Sequence, residues 1–144
     1  MTPKLLARLV HTMRMPIRWG DMDAMGHVNN TVYFRYFETA RIAWFDQIAC
    51  APDPGGEGPV IVNANCTFLK QLKYPGEIEV TTLVGPPGRS SFHMTHEIRV
   101  VGLDGVLSQV HAEGGAKVVW VHFPTEKSVP LPAAIVVLLP AASG

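Results

Sequence analysis

Cysteine is scarce in this chain: Cys50 and Cys66 are the only two, and neither belongs to a Cys-x-x-Cys pair. A disulfide framework is thereby excluded, and both are read as reduced thiols of a cytoplasmic protein. Charge is scarce as well. Charged residues make up 17% of the sequence, and twelve basic side chains offset twelve acidic ones. No electrostatic footprint for nucleic acid or an anionic membrane surface is present. Long apolar runs are missing too. The longest, residues 133–139, is closed off by Pro132 and Pro140 and falls far short of the roughly 20 residues a bilayer crossing needs. The first ten residues carry Lys4 and Arg8 but no long apolar segment and no small-residue cleavage site, so they are not read as a signal peptide.

What the sequence has is apolar content. Hydrophobic residues make up 47% of 144, enough to bury a core without staples and consistent with one domain over residues 1–144. Residues 11–19 alternate loosely through Met13, Met15, Ile17 and Trp19, predicting a first strand. A loop rich in Gly, Asp and Asn follows. Tyr33, Phe37, Ala40, Trp44 and Ile48 then recur at spacings of three and four, the period of a helix with an apolar face. Val32, Tyr36, Ala43 and Phe45 widen that face, so burial around most of the circumference is expected. After a Pro- and Gly-rich loop at 51–59, residues 60–72, 77–84, 89–101 and 106–123 are rich in Val, Ile, Thr and Phe. They read as a meander of long antiparallel strands. Gly114-Gly115 within the last one suggests a bulge, and the tail from Leu131 suggests a short helix. The sum is an α+β domain in which a curved antiparallel sheet wraps one long helix. One helix cannot cover both faces of such a sheet, which argues for a homodimer or homotetramer.

The chemistry is concentrated in Asp21-Met22-Asp23-Ala24-Met25-Gly26-His27-Val28-Asn29-Asn30. Two carboxylates, a histidine and two asparagines stand directly before the helix. A helix N-terminus offers backbone N–H groups without intrahelical partners and a favourable dipole, so a carbonyl oxygen placed there is polarised. A carboxylate just upstream supplies a nucleophile or general base. Those are the two requirements of acyl hydrolysis.

This run, continued by Tyr33, resembles the Asp-x-Asp-x-x-Gly-His-Val-Asn-Asn-x-x-Tyr pattern of the 4-hydroxybenzoyl-CoA thioesterase-like branch of the hotdog-fold superfamily. The resemblance implies a hotdog fold, dimers sharing a continuous sheet, active sites between protomers and hydrolysis of an acyl-CoA thioester. CoA is then part of the substrate and no cofactor is expected. The resemblance also implies that Asp23 is the catalytic carboxylate and that the backbone amide at Asn30 activates the thioester carbonyl. His27 divides evenly between loop bracing and contact with the thioester; its ordinary pKa near 6.5 suits a base. The His-Val-Asn-Asn form is closer to the fatty-acyl thioesterases. Those place an Asn two residues after the Asp, where this chain has Met25, so their full scheme does not carry over.

Other readings have less support. Asp21 is expected to brace the loop, and the side chains of Asn29 and Asn30 to act as caps. Glu38, about 12 Å along the helix from Asn30, is expected to pair with Arg35 or Arg41. A calcium loop fails because Met25 and Val32 stand where ligands are needed. His93 and His96 are an odd number apart on a strand and face opposite ways, against a shared metal. No Gly-x-Ser-x-Gly is present, which excludes a serine α/β-hydrolase. A hotdog hydratase would need Asp and His five apart, and Asp23 and His27 are four apart. Arg89, Lys70 and Lys73 are candidates for CoA phosphates, although surface solvation is the default for each. The alternative from a different class is a hotdog module that binds acyl thioesters or a protein partner without turnover.

Overall fold

The computed structural model describes residues 7–141. Most of the basic stretch read above as no signal peptide therefore lies outside the described residues. The chain runs β1 (Arg8–Ile17), a 3-10 turn (Trp19–Asp21), α1 (Asn30–Gln47), β2 (Glu57–Phe68), β3 (Gly76–Val84), β4 (Ser91–Val101), β5 (Leu107–His122), β6 (Lys127–Ser128) and α2 (Ala133–Val136). No described helix is long and apolar enough to cross a membrane. One antiparallel sheet holds all six strands, in the order β1-β3-β4-β5-β2 with β6 on β5, and α1 packs on one side of it. This is the expected α+β architecture, a hotdog fold.

Two expectations about the strands need correction. Only β3, β4 and β5 form a meander; β2 pairs with β5 at the far edge of the sheet instead of with β3. The chain leaves the ladder after Phe68, and residues 69–75 carry it past β5 and β4. That is about 14 Å at the usual strand spacing, and Tyr74-Pro75-Gly76 closes a crossover and not a hairpin. Gly114 and Gly115 do not form a bulge either. Both keep regular partners, Cys66 and Asn65 on β2 and His96 and Thr95 on β4. Glycine is required at 114 by packing: a Cβ there would overlap the Phe37 ring of α1 and come within 2.8 Å of the Asn65 carbonyl oxygen. The register breaks of β2 and β5 fall elsewhere: at Ile61/Asn63 on β2, opposite Ile98/Arg99, where His111 is the extra residue of β5, and opposite Arg99/Val101.

The helix begins where its cap does: the Asn29 side chain accepts hydrogen bonds from the Thr31 N–H (2.9 Å) and hydroxyl (2.8 Å). Its burial is narrower than the periodicity suggested. Tyr33, Tyr36, Phe37, Ala40, Arg41, Trp44 and Phe45 are buried, whereas Val32 and Ala43 are half-buried and Phe34, Glu38 and Ile42 lie exposed. The sheet curves over one side of α1 only. Two apolar clusters result. One, around Tyr33, Tyr36, Phe37, Leu72, Ile78, Val80 and Ile98, lies under the N-terminal half of the helix. The other, around Trp44, Phe45, Phe92, Val118, Trp120 and Ile135, lies under the C-terminal half and is closed by α2.

A polar layer accompanies these clusters. The buried Arg41 guanidinium stands 3.5 Å from His96 Nε2, and His96 Nδ1 lies 3.0 Å from the Thr82 hydroxyl. Because a guanidinium only donates, His96 Nε2 accepts and the ring proton resides on Nδ1. The ring stacks on Phe37 at a centroid distance of 5.3 Å. Burial, with Arg41 and His11 nearby, pushes the His96 pKa down to about 3, so the imidazole is neutral in the folded protein.

Candidate active site

The loop between β1 and α1 is built by its two aspartates, in different ways. Asp21 is the brace. Its Oδ2 accepts hydrogen bonds from the Arg18 N–H (2.9 Å) and the Tyr36 hydroxyl (2.7 Å), and its carbonyl accepts from the Asn29 N–H (2.9 Å). Burial and this carboxylate push the Tyr36 pKa strongly upward, keeping the phenol protonated as the donor.

Asp23 anchors a tight turn instead. Its Oδ1 accepts from the Met25 N–H at 2.9 Å and the His27 N–H at 3.3 Å, while its own N–H donates to the His27 carbonyl at 2.7 Å. Gly26 completes the turn at φ +80°, a conformation that glycine adopts without strain. Asp23 Oδ2 has no hydrogen bond within the protein among the described residues. The Val28 N–H then donates to the Leu72 carbonyl at 2.9 Å, which pins the loop to the crossover.

Between this loop, the start of α1 and the crossover lies an open cavity of about 520 Å³. It is lined by Asp23, Met25, His27, Asn30, Tyr33 and, from the other side, residues 68–71. All three residues singled out from the sequence for chemistry, Asp23, His27 and Asn30, therefore border one space. The Asn30 N–H is the first of α1 and has no intrahelical carbonyl to reach. Tyr33 meets Phe68 edge to face at 4.9 Å, forming an apolar wall. Burial raises the Tyr33 pKa, and its oxygen accepts from the Leu72 N–H at 3.2 Å.

Glu38 does not border this cavity. It pairs with Arg35 at 3.8 Å on the exposed side of α1, as one of the two expected pairings had it. His93 is exposed and His96 buried, on opposite faces as expected. No group of three or more potential metal ligands occurs among the described residues. A separate depression of about 380 Å³ on the outer face of the sheet, lined by Asn63, Asn65, His93, Lys117 and their neighbours, has no helix terminus beside it.

Residues 68–71 escape notice as a wall in the sequence, because residues 60–72 read as one strand. A signal was present: Phe68 and Leu69 are adjacent apolar residues, and they break the alternation of Asn63, Asn65 and Thr67.

A curved antiparallel sheet over one long helix, with a carboxylate-bearing turn at that helix's N-terminus, defines a hotdog protein of the thioesterase kind. Comparison with known proteins agrees. A model of the thioesterase-like superfamily matches residues 17–139, and the chain belongs to that superfamily. It is 38% identical to the PA2801 protein of Pseudomonas aeruginosa, a thioesterase candidate, with a TM-score of 0.84 over 91% of this chain and 98% of that one. The uncharacterized protein YsmA of Bacillus subtilis is 27% identical over 115 residues, 74% of this chain and 77% of its own. A 4-hydroxybenzoyl-CoA thioesterase variant in complex with 4-hydroxybenzoyl-CoA shares the fold, with a TM-score of 0.77, 22% identity, and 92% and 98% of the two chains covered. The chain is thus thioesterase-like by fold and family.

Proposed function

We propose that the chain hydrolyses an acyl-CoA thioester in the 520 Å³ cavity, with Asp23 as the reacting carboxylate and the Asn30 N–H as the oxyanion donor. The observation that carries this reading is the meeting, at one cavity, of a half-buried carboxylate and the first free amide of an 18-residue helix. The thioester carbonyl oxygen lies toward that amide, where the helix dipole favours developing negative charge. Asp23 supplies the electron pair, directly to the carbonyl carbon or by taking a proton from the attacking water. The C–S bond breaks, CoA leaves as thiolate and takes up a proton, and one water is consumed for each acid released. His27, bordering the same cavity, contacts the thioester or its leaving group. The acyl group rests on the Tyr33–Phe68 wall, and Lys70 is the cation available at the rim.

A panel of acyl-CoAs of graded length, together with aryl-CoAs, tests this reading. Expected is hydrolysis of at least one member that Asp23→Asn abolishes. If acyl-CoA is bound for hours without hydrolysis, and bound equally by Asp23→Asn, the chain is a binding module. A single turnover in ¹⁸O-water then tests the anhydride route, since water attacking the Asp23 carboxyl carbon of an acyl-enzyme anhydride leaves label in the protein, whereas base-activated water puts it only in the product acid.

A further inference from the structure

The crossover wall of the cavity is held by one residue of the sheet. His111 is the extra residue of β5, between Ala112, which pairs with Ile98, and Val110, which pairs with Arg99. Bulges re-aim side chains and end strand pairing, and this one does both. The ladder between β2 and β5 stops at Phe68 and Ala112. Immediately beyond it, the His111 carbonyl accepts from the Leu69 and Lys70 N–H groups, both at 2.9 Å. The buried His111 side chain reaches the next residue: Nδ1 lies 3.1 Å from the Gln71 carbonyl oxygen. A carbonyl only accepts, so Nδ1 carries the proton and donates. Leu72 then bonds to the catalytic side, its N–H to Tyr33 and its carbonyl to Val28. Four consecutive residues are thus fixed between the sheet and the loop bearing Asp23, and residues 69–71 of them line the cavity.

We propose that His111 is a positioning residue for substrate binding: its Nδ1–H, through Gln71, holds the crossover wall at the distance from Asp23 that an acyl thioester requires. This rests on the reading of the cavity as the thioester site. His111 touches no reacting atom, so its loss weakens binding more than it slows the chemical step.

The test compares His111→Phe, which keeps a ring but has no donor, with His111→Asn, whose amide N–H replaces Nδ1–H. Both retain the main-chain bonds to Leu69 and Lys70. Amide hydrogen exchange in residues 69–72 of the substrate-free protein should quicken about fivefold in His111→Phe, the loss of one net hydrogen bond. It should stay at the wild-type rate in His111→Asn. With acyl-CoA, KM should rise about fivefold or more in His111→Phe while kcat falls less than about twofold, and His111→Asn should restore KM. Wild-type exchange and KM in His111→Phe, a loss confined to kcat, or no rescue by His111→Asn overturns the proposal. Should His111→Phe fail to fold, His111→Leu takes its place. If the wild-type protein hydrolyses no acyl-CoA, the thioesterase reading fails, and the exchange comparison still decides whether His111 holds the wall.

Discussion

Asp21 and Asp23 are two residues apart and do opposite work, and the difference lies in what occupies their oxygens. Asp21 Oδ2 is engaged by Arg18 and Tyr36, whereas Asp23 offers Oδ1 to its own turn and leaves Oδ2 for the cavity. Asp23→Asn keeps an Oδ1 acceptor for the Met25 and His27 amides and removes the charge. Turnover should therefore fall at least about a hundredfold, while stability changes by about 0.5 kcal/mol or less; steady-state kinetics and urea unfolding check the two parts. Glu38→Gln is the control. Its partner Arg35 and Glu38 itself are 77% and 55% exposed as side chains, a pair worth less than about 1 kcal/mol, so turnover should be unchanged. If Glu38→Gln lost turnover while Asp23→Asn retained it, the catalytic carboxylate would be misassigned. His96 carries a different prediction. Its pKa is lowered to about 3 in the fold from an unfolded value near 6.5, so between those values the unfolded chain binds a proton that the folded chain does not. Stability contributed by the neutral ring is complete above pH 6.5 and falls by about 1.4 kcal/mol per pH unit below it. Urea midpoints measured from pH 7.5 to 4.5 should drop, and the drop should be shallower in His96→Gln, which does not titrate. Equal slopes would show that other groups govern the acid side.

Whole elements show how far the sequence could be read. Helix α1 was legible because Tyr33, Phe37, Ala40 and Trp44 repeat at the helical period and Asn29 caps it. The strands were legible as segments, but their order was not. Richness in Val, Ile, Thr and Phe marks a strand within residues 60–72 and is silent on which neighbour it chooses, because β3 and β5 both present Val-bearing apolar faces. The site was legible on the loop side, where Asp23, His27 and Asn30 are contiguous, and illegible on the crossover side, which forms only once β2 is carried to the far edge. The glycine pair is the instructive case, since weak strand propensity at Gly114 reflects a neighbour in space, Phe37, and not local curvature. Gly114→Ala should accordingly destabilise the fold by about 1–3 kcal/mol, the usual cost of overpacking, because one of the groups its Cβ meets is backbone. Gly114→Ala combined with Phe37→Leu should recover part of that loss in a denaturation series. No recovery would mean that the Asn65 carbonyl alone sets the limit.

At the scale of the molecule, the sheet leaves different things uncovered on its face and at its edge. The outer face is studded with Asn63, Asn65, Thr67, His93, Lys117 and other polar groups. The edge is another matter. Among the described residues β2 is a 12-residue strand paired on one side only, to β5, and its exposed residues include Val60, Val62 and Phe68. A long edge of this kind without charged or proline blocking in its centre is a template for another strand. Two copies of β2 brought together antiparallel satisfy both edges with a single twofold axis, the commonest closed symmetry. The expected state is thus a dimer through β2, with a tetramer arising if two such dimers associate. Light scattering at micromolar concentration should give at least twice the mass of 15.7 kDa. Val62→Lys, at the register break of β2, places a charge at the seam without touching the ladder to β5, and it should shift the protein toward monomer while its thermal transition remains cooperative. A monomeric wild type would refute the dimer, and an oligomer unmoved by Val62→Lys would place the contact somewhere other than the β2 edge.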